Sequence, residues 1–289
     1  FSINSDTFTS GNDYSISLEI TNSGLSNSNG QVFIDLITSD NIISLENQIM
    51  IDGIDARTTL QLEDIITFQI SPSAILGTLD NILINLYDND NIISSSTVEI
   101  LIGESTILVF ENFESIGQWI SGADGDDATA GLWERAVPNA TSYEGVDVQP
   151  GYDYTEDGIF CYVTGNGTAN NQVGFDDVDG GKTTLISPIY DLADYSEVIV
   201  SYWKWYTNNV GDNPNNDVWE VSVSNDNGDS WTTLEETTET NNEWAFKQFL
   251  LNSSNNNLTN SMQFRFVAED AYYNGDNGSG GSIVEAAID

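Results

Sequence analysis

The 289-residue chain has no histidine, one cysteine, five prolines, two methionines and only six lysines and arginines. Each shortage removes a class of chemistry. Without histidine there is no Ser-His-Asp or Cys-His nucleophile, no imidazole general base and no histidine-ligated zinc. Cys161 stands alone, so neither an internal disulfide nor a thiolate zinc site can form. Six basic residues against 46 acidic ones leave a formal charge of −40. That charge repels phosphate backbones and anionic lipid surfaces, which argues against nucleic acid as a partner. No apolar run approaches the roughly 20 residues of a membrane-crossing helix, so membrane insertion is not expected. An anionic chain of this kind attracts divalent cations and stays soluble where salt screening is strong. Saline habitat and function both account for the imbalance. The chain opens on "FSINSDTF" without a methionine and closes on the strand-like "SIVEAAID", the pattern expected of a piece of a longer mature protein.

What is present is strand-forming. Hydrophobic residues make up 39% and aromatics 11%, enough to build real cores. Residues 1–103 hold a single basic residue, Arg57, and no tryptophan. "YSISLEITNSG" alternates apolar and polar and ends in a turn, and "GQVFIDLIT", "ITFQIS", "NILINLYDND" and "STVEILIG" follow at short intervals. This predicts an all-β architecture beginning with an Ig-like β-sandwich over 1–103. After the polar joint "GES" the character changes. From residue 106 to 289, "GIFCYVTG", "TTLISPIYDL", "EVIVSYWKWYT", "DVWEVSVSND", "EWAFKQFLL", "SMQFRFVAED" and "SIVEAAID" read as strands, and they predict a larger jelly-roll β-sandwich. "SNDNGDSW" reads as a turn and "EDAYYNGDNGSGG" as a mobile loop.

Several blocks carry a resemblance. "GLWERAVPNAT", "VQPGYDYTEDGIFCYVTGN", "DDVDGGKTTLISPIYDLADY", "SYWKWYTNN", "SNDNGDSWTTLEE" and "FRFVAEDA…GSIVEAAID" occur in this order. Together they resemble the jelly-roll accessory module on the C-terminal side of secreted bacterial zinc carboxypeptidases and other exported hydrolases. The first part resembles the Ig-like, CARDB-like module that sits between such a peptidase and its jelly roll. The resemblance implies export, to the extracellular space or cell surface, and accessory status with catalytic or other domains upstream in the same chain. It does not make this chain a peptidase, because the zinc-binding His and Glu motif of the catalytic domain is absent.

Calcium takes six to eight oxygens from carboxylates and carbonyls. "DDVDGG" offers Asp176, Asp177 and Asp179, with Gly180 and Gly181 permitting a tight backbone that turns carbonyls inward. A structural calcium is expected here, against the alternative of a solvated acidic turn. In jelly rolls of the resembled kind a structural calcium joins the first and last strands. That implies recruitment of Glu111 or Glu114 from "ENFES" and of Asp289, so that one ion would staple the ends of the domain. In "NNVGDNPNNDVW", Asp217 abuts a strand and is a better oxygen donor than Asp212. "ADGDDATAG", with Asp124, Asp126 and Asp127, reads as a solvated loop. Each scarce cation, Lys204, Arg265 or Arg135 beside Glu134, is expected to pair with a carboxylate.

"SYWKWY" alternates strictly, putting Trp203 and Trp205 on one strand face and Tyr202, Lys204 and Tyr206 on the other. One set must be core. The other either lies under loops or forms a flat stacking platform for a glycan or protein surface, so Trp203, Trp205, Tyr202 and Tyr206 are the candidate ligand contacts. The leading expectation is a non-catalytic, calcium-stabilised accessory region that positions an enzyme or engages substrate or cell surface. Its rivals are a carbohydrate- or protein-binding adhesin module, a surface or filament subunit, and a carboxylate-only hydrolase using acids such as Glu220 and Glu285.

Overall fold

The structure is a computed structural model that describes residues 1–5, 7–28, 32–46, 48–51, 53–89, 91–103, 106–167, 174, 176–211, 213–271 and 282–289. The described residues contain strands and turns but no helix. The chain divides into two compact units, Phe1–Leu108 and Val109–Asp289. Each is a β-sandwich, so the all-β class holds.

The first unit contains β1 (Ser2–Ile3), β2 (Asp13–Thr21), β3 (Val32–Thr38), β4 (Ile42–Ser44), β5 (Ile49–Ile51), β6 (Thr59–Ile70), β7 (Leu79–Asp88) and β8 (Asn91–Leu101). They form two four-stranded sheets, β1-β2-β6-β4 and β5-β3-β7-β8. β-branched residues fill the space between them: Ile16, Ile34, Ile66, Ile70, Ile82, Val98 and Ile100 are all buried, beside the stacked rings of Phe8 and Phe68. Such side chains suit a pleated half-buried surface, and each contributes about 1.5–3 kcal/mol by leaving water. The register of β2 on β6 shifts between Ile16 and Leu18. There Asp64 takes φ 47° and its amide donates to Ser17 Oγ at 2.8 Å.

The second unit adds β9 (Ile120–Ser121), β10 (Trp133–Ala136), β11 (Thr141–Tyr143), β12 (Val146–Gln149), β13 (Cys161–Thr164), β14 (Lys182–Ile186), β15 (Glu197–Thr207), β16 (Val218–Ser224), β17 (Thr232–Thr237), β18 (Asn241–Asn252), β19 (Gln263–Glu269) and β20 (Glu285–Ile288). Two five-stranded sheets, β10-β13-β20-β15-β18 and β17-β16-β19-β14-β9, face each other, and β11-β12 forms a separate hairpin. The inter-sheet core holds Phe113, Trp133, Tyr202, Tyr206, Trp219, Phe264 and Phe266 among others. A second, smaller core of Cys161, Val163, Trp205, Trp244 and Ala287 lies on the outer face of the β20 sheet.

One charge sits deep in the sandwich. Lys204, in mid β15, is 1% exposed and its Nζ donates to Glu235 Oε1 at 3.0 Å. Glu235 also accepts from Tyr202 Oη at 3.0 Å and Trp219 Nε1 at 3.1 Å, and pairs with Lys247 at 3.3 Å. Burial pushes the Glu235 carboxyl up, but Lys204 and Lys247 outweigh it and hold the group below its usual range. A depressed carboxyl adds stability that is present above its unfolded pKa and lost as pH falls through its folded one. Glu235→Gln strands the buried ammonium, and removing one partner of a buried pair costs about 3–5 kcal/mol. Urea denaturation of the variant is expected to show that loss at neutral pH, with a shallower fall in stability on acidification than the parent.

Candidate functional site

The "ENFES" turn sends its two glutamates to different places. Phe113 adopts φ 56°, a left-handed conformation that costs about 1–2 kcal/mol for a residue with a Cβ. It is held there by burial of its ring against Trp119 and Tyr162 and by Arg135 Nε donating to its carbonyl. Glu111 accepts from the Phe113 amide at 3.2 Å and faces Tyr162 and Tyr190. Glu114 turns the other way, and its Oε1 accepts from the amides of Ile159 and Phe160 at 2.7 and 2.8 Å. Those hydrogen bonds hold its carboxyl below the usual range.

Asp289 meets the same loop. Its Oδ2 accepts from the Tyr154 amide at 3.0 Å, the Thr155 amide at 2.6 Å and Thr155 Oγ1 at 2.7 Å. Asp153 completes the group: burial, then the Asp289 and Glu114 charges, raise its carboxyl. Asp289 Oδ1 and Asp153 Oδ2 are buried without hydrogen-bond partners. Gly158 makes room for the cluster, since a Cβ there would stand 2.2 Å from Asp153 Oδ2 and 3.2 Å from Glu114 Oε1. Sequence reasoning paired Glu114 with Asp289 but missed Asp153, which "GYDYTEDG" offered only as one acid among many.

"DDVDGG" lies elsewhere, at the other end of β20. The Val178 amide donates to the Val284 carbonyl at 2.9 Å, which sets Asp177 beside Glu285. The Gly180 amide donates to Asp270 Oδ2 at 2.8 Å, and the Asp270 amide to the Gly181 carbonyl at 2.9 Å. Gly180 and Gly181 take φ 75° and 142°. Asp217 Oδ1 accepts from the Ala271 amide at 3.0 Å, one residue beyond Asp270. Asp177 is 0% exposed, and burial followed by the Asp179 charge pushes its carboxyl up to about 8. Glu285 is also raised well above the usual carboxylate range, first by burial and then by Asp177 and Asp176. The one expected ion site is therefore two separate carboxylate clusters, with Asp289 in one and Asp176, Asp177 and Asp179 in the other. Glu285 and Asp270, absent from the sequence-based metal set, belong to the second. Asp212 and most of "EDAYYNGDNGSGG" fall outside the described residues.

Among the described residues no three acidic or cysteine side chains are gathered tightly enough to hold a metal by themselves. An ion in either cluster would complete its shell with backbone carbonyls and water, as calcium commonly does. The donors are all oxygen, which fits calcium and not zinc.

Two expectations need correction, and one discounted rival loses its geometry. "ADGDDATAG" is not simply solvated: Asp126 accepts from the Ala123 and Thr184 amides at 3.0 and 2.9 Å and from Thr184 Oγ1 at 2.7 Å. Asp127 Oδ1 accepts from the Lys182 amide at 3.0 Å, so the loop is stitched to β14. Among the described residues Arg135 forms no ion pair; it lies 3.8 Å over the Phe160 ring and donates to the Phe113 carbonyl. Glu220 and Glu285, weighed as an acid pair, lie in opposing sheets, and Glu220 is bound by Arg265 at 2.9 Å. The pairings expected of Lys204 and Arg265 are both present.

The alternation of "SYWKWY" resolves cleanly. Tyr202, Lys204 and Tyr206 point into the sandwich, so the two tyrosines offer no ring to solvent. Trp205 points outward but is buried under β12 and its flank, donating to the Val148 carbonyl at 2.9 Å. Trp203 is half-buried on the outer face. Tyr154 stacks on it with ring centroids 3.5 Å apart, and Phe246 from β18 lies 5.3 Å away. Tyr154 is 44% and Phe246 49% exposed. On the same face Ser201 pairs with Gln248, adding polar groups beside the rings. Tyr154 and Phe246 sit in loop and edge-strand segments whose place beside Trp203 only the fold reveals.

No family model matches the chain, and no curated protein does. Among solved structures it is similar to TmCBM61 in complex with β-1,4-galactotriose, at 14% identity, 60% coverage of this chain and 84% of that one, with a TM-score of 0.32. It is also similar to the N-terminal CBM22-1–CBM22-2 tandem domain from Paenibacillus barcinonensis Xyn10C, at 11% identity, 94% and 80% coverage, and a TM-score of 0.33. Identities and scores of this size transfer no ligand and no residue role.

Asp126→Ala removes three hydrogen bonds to a charged acceptor, and unmet buried donors cost about 1–3 kcal/mol. Urea denaturation should show a loss in that range.

Proposed function

We propose that the chain is a non-catalytic, calcium-stabilised binding region of a longer secreted protein, with the first unit a spacer and the second presenting an aromatic strip to a neutral polysaccharide. The observation that carries this reading is the outer-face strip of Tyr154, Trp203 and Phe246 with Ser201 and Gln248 beside it. Flat rings bury large area against flat partners, and polar neighbours orient what lands on them. A chain of charge −40 repels anionic polymers, which selects a neutral ligand. The resemblance of the second unit to modules of exported hydrolases supports an upstream enzyme, such as a zinc carboxypeptidase, as its parent.

A calcium ion held by Asp153 and Asp289, its shell completed by backbone carbonyls and water, would neutralise two buried oxygens that have no hydrogen-bond partner. Asp289 already gathers the Tyr154 and Thr155 amides. Fixing Asp289 and Asp153 therefore fixes the loop that lays Tyr154 on Trp203, so cation and ligand surface are mechanically connected.

Affinity electrophoresis through gels containing neutral β-glucan, xylan or galactan tests the reading. Retardation by at least one polymer is expected, weakened about tenfold or more by Trp203→Ala or Phe246→Ala. Chelation with EDTA should weaken retardation and lower thermal stability, since calcium at a hundredfold excess over Kd adds about 2.7 kcal/mol. Migration unaffected by every neutral polymer would sink the proposal.

A further inference from the structure

The second carboxylate cluster keeps buried oxygens without hydrogen-bond partners. Asp177 is 0% exposed and neither of its carboxylate oxygens has a hydrogen-bond partner. Glu285 is 4% exposed and its Oε2 has none either. The ion pairs among the described residues all lie elsewhere, on Glu235 and Glu220. Two neighbouring carboxylates buried without counter-charge are costly, several kcal/mol each, and a protein retains them where something positive is supplied.

The backbone around them converges. The Val178–Val284 hydrogen bond joins the "DDVDGG" turn to the start of β20, and the Gly180 amide and Gly181 carbonyl join it to Asp270 at the end of β19. At Gly165, where φ is 56°, an added Cβ would stand 1.7 Å from the Asp176 carbonyl oxygen. Only a residue without a side chain lets the end of β13 close over the turn. The result brings the 176–181 turn, Asp270 and the start of β20 together around buried carboxylate oxygens.

We propose that Asp177 and Glu285, with backbone carbonyls of the 176–181 turn and water, hold a second calcium ion independent of the one at Asp289. Irregular backbone and hard oxygen donors suit calcium, whereas magnesium demands a regular octahedron and keeps much of its water. The ion would tie β19 and β20 to the turn before β14, closing the sandwich at the end remote from the aromatic strip. This site stands or falls apart from polysaccharide binding.

The test is calcium titration of the whole chain after EGTA stripping, by calorimetry and by terbium luminescence. The parent protein should bind an equivalent that Asp177→Asn and Glu285→Gln each remove, while Asp289→Asn leaves it in place. Both variants are near-isosteric and relieve repulsion, so in EGTA they should fold at least as stably as the parent, checked by near-ultraviolet dichroism. Should either misfold, the Asp289→Asn protein still decides, because it must retain one tight equivalent. Unchanged stoichiometry in Asp177→Asn and Glu285→Gln would overturn the proposal and show that the buried pair holds a proton instead. An equivalent lost only in Asp289→Asn would also overturn it, leaving the other ion untouched.

Discussion

β20 is four residues long and central to its sheet, hydrogen-bonded to β13 through Ile288 and Ala287 and to β15 from Glu285 to Ile288. Every one of its residues is buried. Ala286 and Ile288 face the inter-sheet core, Ala287 the outer core. The small side chains let Trp205 and Tyr206 approach from β15. The strand's register leaves no freedom to its ends: Glu285 and Asp289 are carried below the surface, where a carboxylate is costly unless it is hydrogen-bonded or paired. Much of the second unit is arranged around those two acids.

The chain handles its negative charge in three ways. Some acids serve as acceptors for backbone amides, as Asp126 does for β14 and Asp226 for the turn at Ser230. Others take the scarce cations, and Glu235 gathers two of the six. A third group, which includes Asp177 and Glu285 at one end of β20 and Asp153 and Asp289 at the other, keeps buried oxygens without hydrogen-bond partners. Amides and ammonium groups reach acids near loops and sheet interiors. At the ends of β20 the surrounding segments also bring further carboxylates, and burial together with like charge in low dielectric raises the carboxyls of Asp153, Asp177 and Glu285.

The outer aromatic surface follows from the same geometry. β15 spends Tyr202, Lys204 and Tyr206 on the core, so Trp203 and Trp205 must face outward. β12 then covers Trp205 and leaves Trp203 at the margin, where Tyr154 and Phe246 extend it. Because the Tyr154 loop is anchored by Asp289, the aromatic strip and one carboxylate cluster are parts of a single construction.

Much of this was legible in the residues alone. Period-two alternation, turn dipeptides and the absence of helical periodicity established an all-β chain of two sandwiches. The missing histidines and the lone cysteine removed whole families of chemistry. The strict alternation of "SYWKWY" determined that its rings split between two faces. The sequence could not say which face was core, because that depends on what packs above each side. Nor could it sort 46 acids into clusters. Asp153 joins Asp289 across more than a hundred residues, and Glu285 joins Asp177 likewise, through strand register and loop closure. Local pattern decides which backbone a segment prefers. Only the pairing of distant strands decides which charges must share a space, since that energy exists only once the sheets have met.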